Sequence, residues 1–522
     1  MGKMKKDILL IVVLYVGIFN FLYSQSQHTE KPNIIFIMSD DHASHAISAY
    51  NGIYKDVAPT PNIDRLAKEG MLMSNTFCTN SICGPSRASI LTGKYSHQNG
   101  FYKNVGGDPF DGSQQTFPKE LQKNGYTTAV VGKWHLWSEP TGFDYYKYHV
   151  LNEEQGSYWD PVYNENGKEI QEKGYATNLT GKYAIEWLEK KRDTSKPFML
   201  MFQFKAPHRP WYPDEKYKNL FDGVDMPYPE TFDDDYKTRE LTAGKSMMSI
   251  ENHLTNKDLK ITPPEGLSSE AYAKWLRLGD KGEYVSPSDT LTGAALKKWK
   301  YQTYIKDYLA CIRSVDDNIG KLLEYLDKND LTKNTIVIYT ADQGFYLGDH
   351  GWYDKRFMYE ESLRMPFIIR YPGEIEAGKQ NDQINLNIDF GPTILDLANV
   401  DTPKAMQGKS FAKSLTSKNP KCGRKDMYYH YYEYPKWHNV QPHYGIRTER
   451  YKLIHFYYNI DVWELYDLQE DPNELTNLYG NKDKRELIKK LKRKLYKLQK
   501  EYGDDVSLEE MRTATKKGMV EY

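Results

Sequence analysis

The chain has 522 residues, room for two or more domains at roughly 100–200 residues each, with large α/β folds favouring two. Its 70 Lys and Arg nearly cancel its 71 Asp and Glu, so no overall field draws it to nucleic acid or an anionic membrane surface, and an anionic ligand would have to be attracted by local groups. Four cysteines (Cys78, Cys83, Cys311 and Cys422) are too few for a disulfide framework and match no zinc spacing, so Cys83 needs its own explanation.

Residues 1–27 carry three lysines, then an apolar run from Ile8 to Tyr23, then small and polar residues. That is the layout of a secretory signal that is cleaved on export. A membrane anchor is the competing reading, because the run is near the lower limit for spanning a bilayer. Export would place the protein in a periplasm, outside the cell, or in a lysosome if the host is eukaryotic.

The apolar runs at 33–38, 127–131, 198–204, 335–340 and 366–371 read as buried parallel strands, and the patterns at 63–71, 181–191 and 311–330 between them read as helices. The alternation predicts an α/β fold with a large, mostly parallel sheet sandwiched by helices, and ligands in such folds bind beyond the carboxyl ends of the strands. From about 222 to 298 the chain turns polar and loses periodicity, as in an excursion roofing the site. After about 420 come short aromatic strands and a terminal helix with Leu487, Leu491, Leu495 and Leu498 on one face and a solvated basic face. The expected organisation is a leader at 1–27, an α/β catalytic domain at 28–419, and a smaller α+β domain with an antiparallel sheet at 420–522.

The polar residues that matter follow the strands. The first run ends in Ser39-Asp40-Asp41-His42 and the fourth in Ala341-Asp342-Gln343-Gly344. Taken singly these are helix caps or turn residues. Together they form an oxygen set suited to hard Ca²⁺ or Mg²⁺. Two more strand ends supply bases, through Lys133 and His135 in one and Lys205, His208 and Arg209 in the other; Lys355 and Arg356 follow the second acidic segment. Such an inventory suits an anionic, tetrahedral transition state. Cys83 opens a helix with Pro85 in its first turn, where anions bind. A reactive thiolate is one reading, but it fits a hard-metal centre poorly; an oxygen nucleophile derived from the cysteine fits better.

Cys83-Gly84-Pro85-Ser86-Arg87, continuing through Ala88 to Leu91-Thr92-Gly93, resembles the C-x-P-S-R signature of the type I sulfatases, whose fold is alkaline phosphatase-like, and the resemblance covers nearly the whole chain after the leader. It implies that a formylglycine-generating enzyme oxidises Cys83 to formylglycine (3-oxoalanine). In the hydrate, one hydroxyl would attack sulfur and the other would expel sulfate. By the same resemblance Asp40, Asp41, Asp342 and Gln343 would bind Ca²⁺, or less readily Mg²⁺, with the modified Cys83. Arg87 would hold the hydroxyls, Lys133, His208 and Lys355 would contact sulfate, His208 would protonate the leaving alcohol, and His135 would assist release. Gln343 departs from the Asn of many relatives, which alters its reach. The segments 342–366, 314–327 and 443–456 look most like N-acetylglucosamine-6-sulfatases of heparan sulfate breakdown, with Arg356, His443 and Arg447 as candidate substrate contacts or structural residues. The alternatives are another carbohydrate sulfatase, a phosphoester or phosphonate hydrolase, or a glycan-binding protein without activity if Cys83 is unmodified.

Overall fold

The computed structural model describes residues 31–152, 154–263, 265–277, 291–417 and 423–519; the expected leader and Cys422 lie outside them. Ten strands form the main sheet: β1 (Asn33–Ser39), β2 (Met71–Met73), β3 (Thr127–Gly132), β4 (Tyr145–His149), β5 (Val162–Glu165), β6 (Lys168–Gln171), β7 (Phe198–Phe204), β8 (Thr335–Ala341), β9 (Phe367–Arg370) and β10 (Lys379–Asn381). Their order is β10-β2-β9-β8-β1-β7-β3-β4-β5-β6. The central strands β8, β1, β7, β3 and β4 are parallel. Of these, β8, β1, β7 and β3 read as largely apolar runs because both faces of the sheet are covered, whereas β4 carries Lys147 and His149.

The run at 366–371, expected to be parallel, is instead antiparallel to both β8 and β2. A strand buried on both faces has the same composition in either direction, so only the path of the chain decides; here the loop from β8 returns directly to the neighbouring position, which an antiparallel pair permits.

Five helices matter here: α1 (Pro61–Glu69), α2 (Cys83–Thr92), α3 (Ala176–Glu186), α4 (Gly293–Lys328) and α5 (Phe390–Leu397). One face of the sheet packs Phe36, Met38, Val130 and Met201 against Ile90 and Leu91 of α2 and Ile394 of α5. The other packs Ile35, Ile37, Val131 and Tyr339 against α1, α3 and α4. Helix α4 starts well before the expected 311–330, because its N-terminal half buries Tyr301, Tyr304 and Tyr308 at helical spacing instead of aliphatic residues.

The described part of 222–298 is threaded between α4 and the C-terminal sheet rather than laid loosely over the surface. Tyr228 stacks on Tyr301 at 4.9 Å, Met248, Ile250 and Leu254 are buried, and the Met247 amide donates to the His438 carbonyl at 2.7 Å. Isolated apolar residues at irregular spacing do this without forming a periodic element.

A second sheet contains β11 (Asp426–Tyr431), β12 (His443–Thr448), β13 (Tyr451–Phe456) and β14 (Val462–Asp467), all antiparallel in sequence order. Helix α6 (Arg485–Tyr502) covers it with Leu491, Leu495, Leu498 and Tyr502; Leu487 is partly buried, and Lys489, Lys490, Arg493 and Lys497 face solvent. Phe357, Tyr429 and Ile446 belong to the same continuous apolar cluster as Phe36 and Ile90, so the two sheets share one core.

Candidate active site

β1 and β8 run side by side with Ser39 opposite Ala341, so the residues that follow, Asp40-Asp41 and Asp342-Gln343, emerge together at the carboxyl edge. Asp41 takes a left-handed conformation (φ 63°), tolerated by a short polar side chain. Tyr308 of α4 locks that turn: its hydroxyl donates to the Asp41 carbonyl at 2.8 Å and accepts from the Ala43 amide at 3.0 Å. The Asp41 amide donates to Asp342 Oδ1 at 3.2 Å.

All four side chains are fully buried. Oxygens of Asp40, Asp41 and Asp342 lie within 4.8 Å of one another, and Asp40 is equally close to Cys83 Sγ and a His208 nitrogen. Gln343 donates its amide to Asp41 Oδ1, which leaves Gln343 Oε1 without a hydrogen bond, and Asp40 Oδ1 is likewise buried without one, 3.9 Å from Arg87 Nη2. Orphaned acceptors beside clustered carboxylates are costly unless a cation takes them up, and an all-oxygen set fits a hard divalent ion.

The charges respond accordingly. Burial, then Asp40, pushes Asp342 up to about 7. Burial outweighs Lys355 and, with Asp40, brings Asp41 up to about 6. For Asp40 burial acts upward too, but Lys133, His208, Arg87 and Lys355 together hold its carboxyl well below the usual range.

Cys83 is the first residue of α2 and only 1% exposed. Burial, then Asp40, pushes its thiol well above the ordinary value, so the unmodified side chain is a neutral thiol, not a thiolate. The helix is pinned to the acidic strand ends: Ser86 Oγ donates to the Asp342 carbonyl, and Arg87 Nε donates to Asp342 Oδ2 at 2.9 Å. Arg87 Nη1 reaches the Lys133 carbonyl at 2.9 Å and Gln203 Oε1 at 3.1 Å.

At the end of β3, Gly132 has φ 109°, and a Cβ there would sit 1.8 Å from the Gln203 carbonyl oxygen, so glycine is required to turn Lys133 into the site. Lys133 donates to Asp40 Oδ2 and to Gln155 Oε1. Because Lys133 can only donate, it claims the carboxamide oxygen, and Gln155 Nε2 is left to donate to His135 Nε2 at 2.9 Å, which places the ring proton on Nδ1. His208 Nδ1 donates to the Arg209 carbonyl at 2.6 Å, and its Nε2 lies 3.8 Å from Asp41 Oδ2. Burial is the first cause holding both imidazoles well below their ordinary value, and both are neutral. Lys355 Nζ meets Asp41 Oδ1 at 2.6 Å and Oδ2 at 2.8 Å.

Cys83, Arg87, Lys133, His135, His208, Lys355, Asp40, Asp41, Asp342 and Gln343 therefore converge on one buried cluster. The model of the Sulfatase family matches residues 32–400, which hold all of them, and that of the N-sulphoglucosamine sulphohydrolase C-terminal region matches 348–501. The chain belongs to the sulfatase family. It is 46% identical, over 96% of its own length and 92% of the relative's, to N-acetylglucosamine-6-O-sulfatase of Bacteroides thetaiotaomicron, and 27% identical, over 90% and 94%, to an arylsulfatase of Clostridium perfringens. The solved structure of BT4656 in complex with its substrate D-glucosamine-2-N,6-O-disulfate superposes with a TM-score of 0.85 at 47% identity, covering 92% of this chain and 100% of that one.

In this sulfatase the three candidate substrate contacts have internal partners. His443 accepts from the Met358 amide at 3.1 Å through Nε2 and donates through Nδ1 to the Gln441 carbonyl at 2.7 Å, so both ring nitrogens are used. Arg447 is paired with Glu360 at 3.1 and 3.2 Å and lies over the Phe77 ring. Arg356 Nη1 donates to Glu433 Oε1 at 2.6 Å and to the Tyr431 hydroxyl at 3.2 Å. His443 and Arg447 thus join the second sheet to the main core, and Arg356 is held beside Asp354, which also pairs with Arg209 and His438. Sequence reasoning missed Gln155, Gln203 and Asn104, whose Oδ1 accepts from the Gly84 amide at 3.1 Å. None lies in a motif; each is brought in by a strand or loop distant in the chain.

Proposed function

We propose that this sulfatase removes the 6-O-sulfate of a glucosamine or N-acetylglucosamine unit in a heparan sulfate-type glycan, after export and conversion of Cys83 to formylglycine. The observation that carries the chemistry is the seat of Cys83, at the head of α2 within 4.8 Å of Asp40 and His208 ligand atoms. The likeness to an N-acetylglucosamine-6-O-sulfatase along 96% of the chain supports the substrate.

Asp40, Asp41, Asp342 and Gln343 Oε1 would hold a Ca²⁺ ion, which supplies a Lewis acid for the sulfate oxygens. Formylglycine supplies, through its hydrate, an oxygen nucleophile and a second hydroxyl for release of sulfate. The chain's own groups do the rest. Arg87 holds Asp342 and the head of α2 in place. Lys133 and Lys355 aim ammonium groups at the cluster where sulfate charge must be held. His208 has Nδ1 and its proton committed to the Arg209 carbonyl, so Nε2, 3.8 Å from Asp41 Oδ2, is its free nitrogen; it would have to take up a proton there before it could protonate the departing sugar oxygen. His135 has its unprotonated Nε2 accepting from Gln155, so it would take up a proton in the release step only as that hydrogen bond is given up.

The test is sulfate release, by ion chromatography, from 6-sulfated N-acetylglucosamine, 6-sulfated galactose and a matched phosphate ester, using protein whose residue 83 has been checked by peptide mass spectrometry. Preference for the 6-sulfated glucosamine sugars is expected. A higher kcat/KM on the phosphate ester, or no release from any sulfated sugar, would overturn the reading.

A further inference from the structure

Each Lys or Arg placed in the active-site cluster so far has a carboxylate: Arg87 has Asp342, Lys133 has Asp40 and Lys355 has Asp41. Three positive side chains thus answer three negative ones. A fourth cation stands in the same place without an answer. Lys205 follows the last residue of β7 and is only 4% exposed. Among the described residues no carboxylate lies within ion-pairing distance of it and no side-chain hydrogen bond is made by its ammonium; its one contact is the face of Tyr158, 5.2 Å from the ring centre. Tyr158 in turn donates its hydroxyl to the His208 carbonyl at 2.7 Å, so the ring backs the loop that carries both Lys205 and His208.

Phe204 lies opposite Ser39 in the sheet, so Lys205 and Asp40 leave neighbouring strand ends side by side. Burial, then Lys133 and to a smaller extent Lys257, brings the Lys205 ammonium down to about 7 against the pull of Asp40 and Asp41, so an arriving anion favours its charged form, and its charge is felt at His208. It is also the foremost charge on His149, a buried imidazole at the end of β4 with both ring nitrogens unpartnered. A buried ammonium without an acceptor is expensive to maintain and is stabilised when an anion arrives.

We propose that Lys205 is a further anion-binding residue of this site, its ammonium holding the sulfate group of the substrate and the sulfate ion left after hydrolysis. The proposal deepens the sulfate-ester reading and rests on it. A binding role predicts a particular kinetic pattern. Interaction made equally in the ground and transition states is lost as KM, with kcat spared. A role confined to bracing Tyr158 would instead change stability, or kcat by displacing His208, and leave sulfate affinity alone.

The experiment uses Lys205→Met and Lys205→Arg in full-length protein with residue 83 verified as converted. KM for glucosamine-6-sulfate and the inhibition constant of inorganic sulfate should both rise about tenfold in Lys205→Met, as expected for one charge-assisted hydrogen bond, with kcat within about threefold. Lys205→Arg should restore both. Unchanged sulfate inhibition in Lys205→Met, or a fall in kcat alone, would overturn the proposal; if that variant does not fold, Lys205→Gln is read in the same way. Should wild type release no sulfate, the sulfatase reading fails separately. Calorimetry of inorganic sulfate with wild type and Lys205→Met then decides Lys205: equal affinity sinks it.

Discussion

Gln155 shows how much a single amide decides in this site. Its Oε1 accepts a hydrogen bond from Lys133 on one side and its Nε2 donates one to His135 on the other, so it fixes the direction of the lysine and the tautomer of the imidazole at once. Gln155→Ala removes both partners and should lower kcat/KM by at least tenfold, about 1–3 kcal/mol for buried groups left unsatisfied, mostly in kcat; stopped assays over a substrate series would show it, and an unchanged kcat would contradict the tautomer assignment. Asp342 carries a second prediction. With no cation bound, Asp41 and Asp342 are raised to about 6 and about 7, against about 3.9 unfolded, so the folded protein holds protons that the unfolded chain has released. Stability of the cation-free protein is therefore full at low pH and is lost as pH climbs through these values. Cation binding must expel the same protons, so Ca²⁺ affinity should rise up to about pH 7 and then level. Melting curves from pH 5 to 8 in chelator should slope downward and flatten with Ca²⁺; a flat curve in chelator would remove the carboxylate cluster as its cause.

At the scale of elements, the loop from β8 to β9 is held by charge as much as by packing. His350 lies between Asp234, 2.8 Å from Nδ1, and Glu361, 3.6 Å from Nε2, and these acids raise it to about 9 although burial opposes them. A raised imidazole contributes stability that is complete below about 6.5 and is lost as pH rises through about 9; the shift corresponds to something on the order of 3 kcal/mol. Wild type should lose melting temperature between pH 7 and 9.5, and His350→Gln should be less stable at pH 7 with a flatter profile. Parallel curves for the two proteins would count against the assignment. The same loop shows what a sequence can disclose. Asp342, Gln343 and Lys355 are legible because strand-end residues are read from their local neighbours, and Cys83 because its helix start is written in the adjacent Pro85 and Ser86. Gln155 and Gln203 are not, since their partners Lys133 and Arg87 belong to other elements and no periodicity announces them. The direction of β9 was hidden by burial on both faces, and the first turns of α4 by a stripe of tyrosines. His443 and Arg447 carry residue types suited to a sugar site, yet their partners Met358 and Glu360 are in the main sheet's loop, and no local pattern distinguishes that from a ligand contact.

For the whole molecule, the second sheet behaves as part of the catalytic unit. Tyr429 of β11 donates its hydroxyl to the Arg356 carbonyl at 2.7 Å and accepts from the Ser81 amide at 3.1 Å, two residues before Cys83. Glu433, just beyond β11, accepts from the amides of Asn104 and Val105 at 2.7 and 3.1 Å and from Arg356 at 2.6 Å, while Asn104 holds the Gly84 amide. The second sheet thus braces the head of α2 from behind, and the apolar cluster common to both sheets leaves no plane along which they could part without exposing Phe357, Tyr359 and Tyr429. Unfolding should accordingly be a single cooperative transition, with calorimetric and van't Hoff enthalpies in agreement. Glu433→Ala leaves the Arg356 guanidinium, only 5% exposed, with Asp354 as its one carboxylate among the described residues and the Tyr431 hydroxyl beside it; the loss of a buried ionic partner is expected to cost about 3–5 kcal/mol and to lower the one transition while reducing activity. Two resolved transitions, with only the lower one moved by Glu433→Ala, would show instead that the C-terminal sheet folds apart from the site it braces.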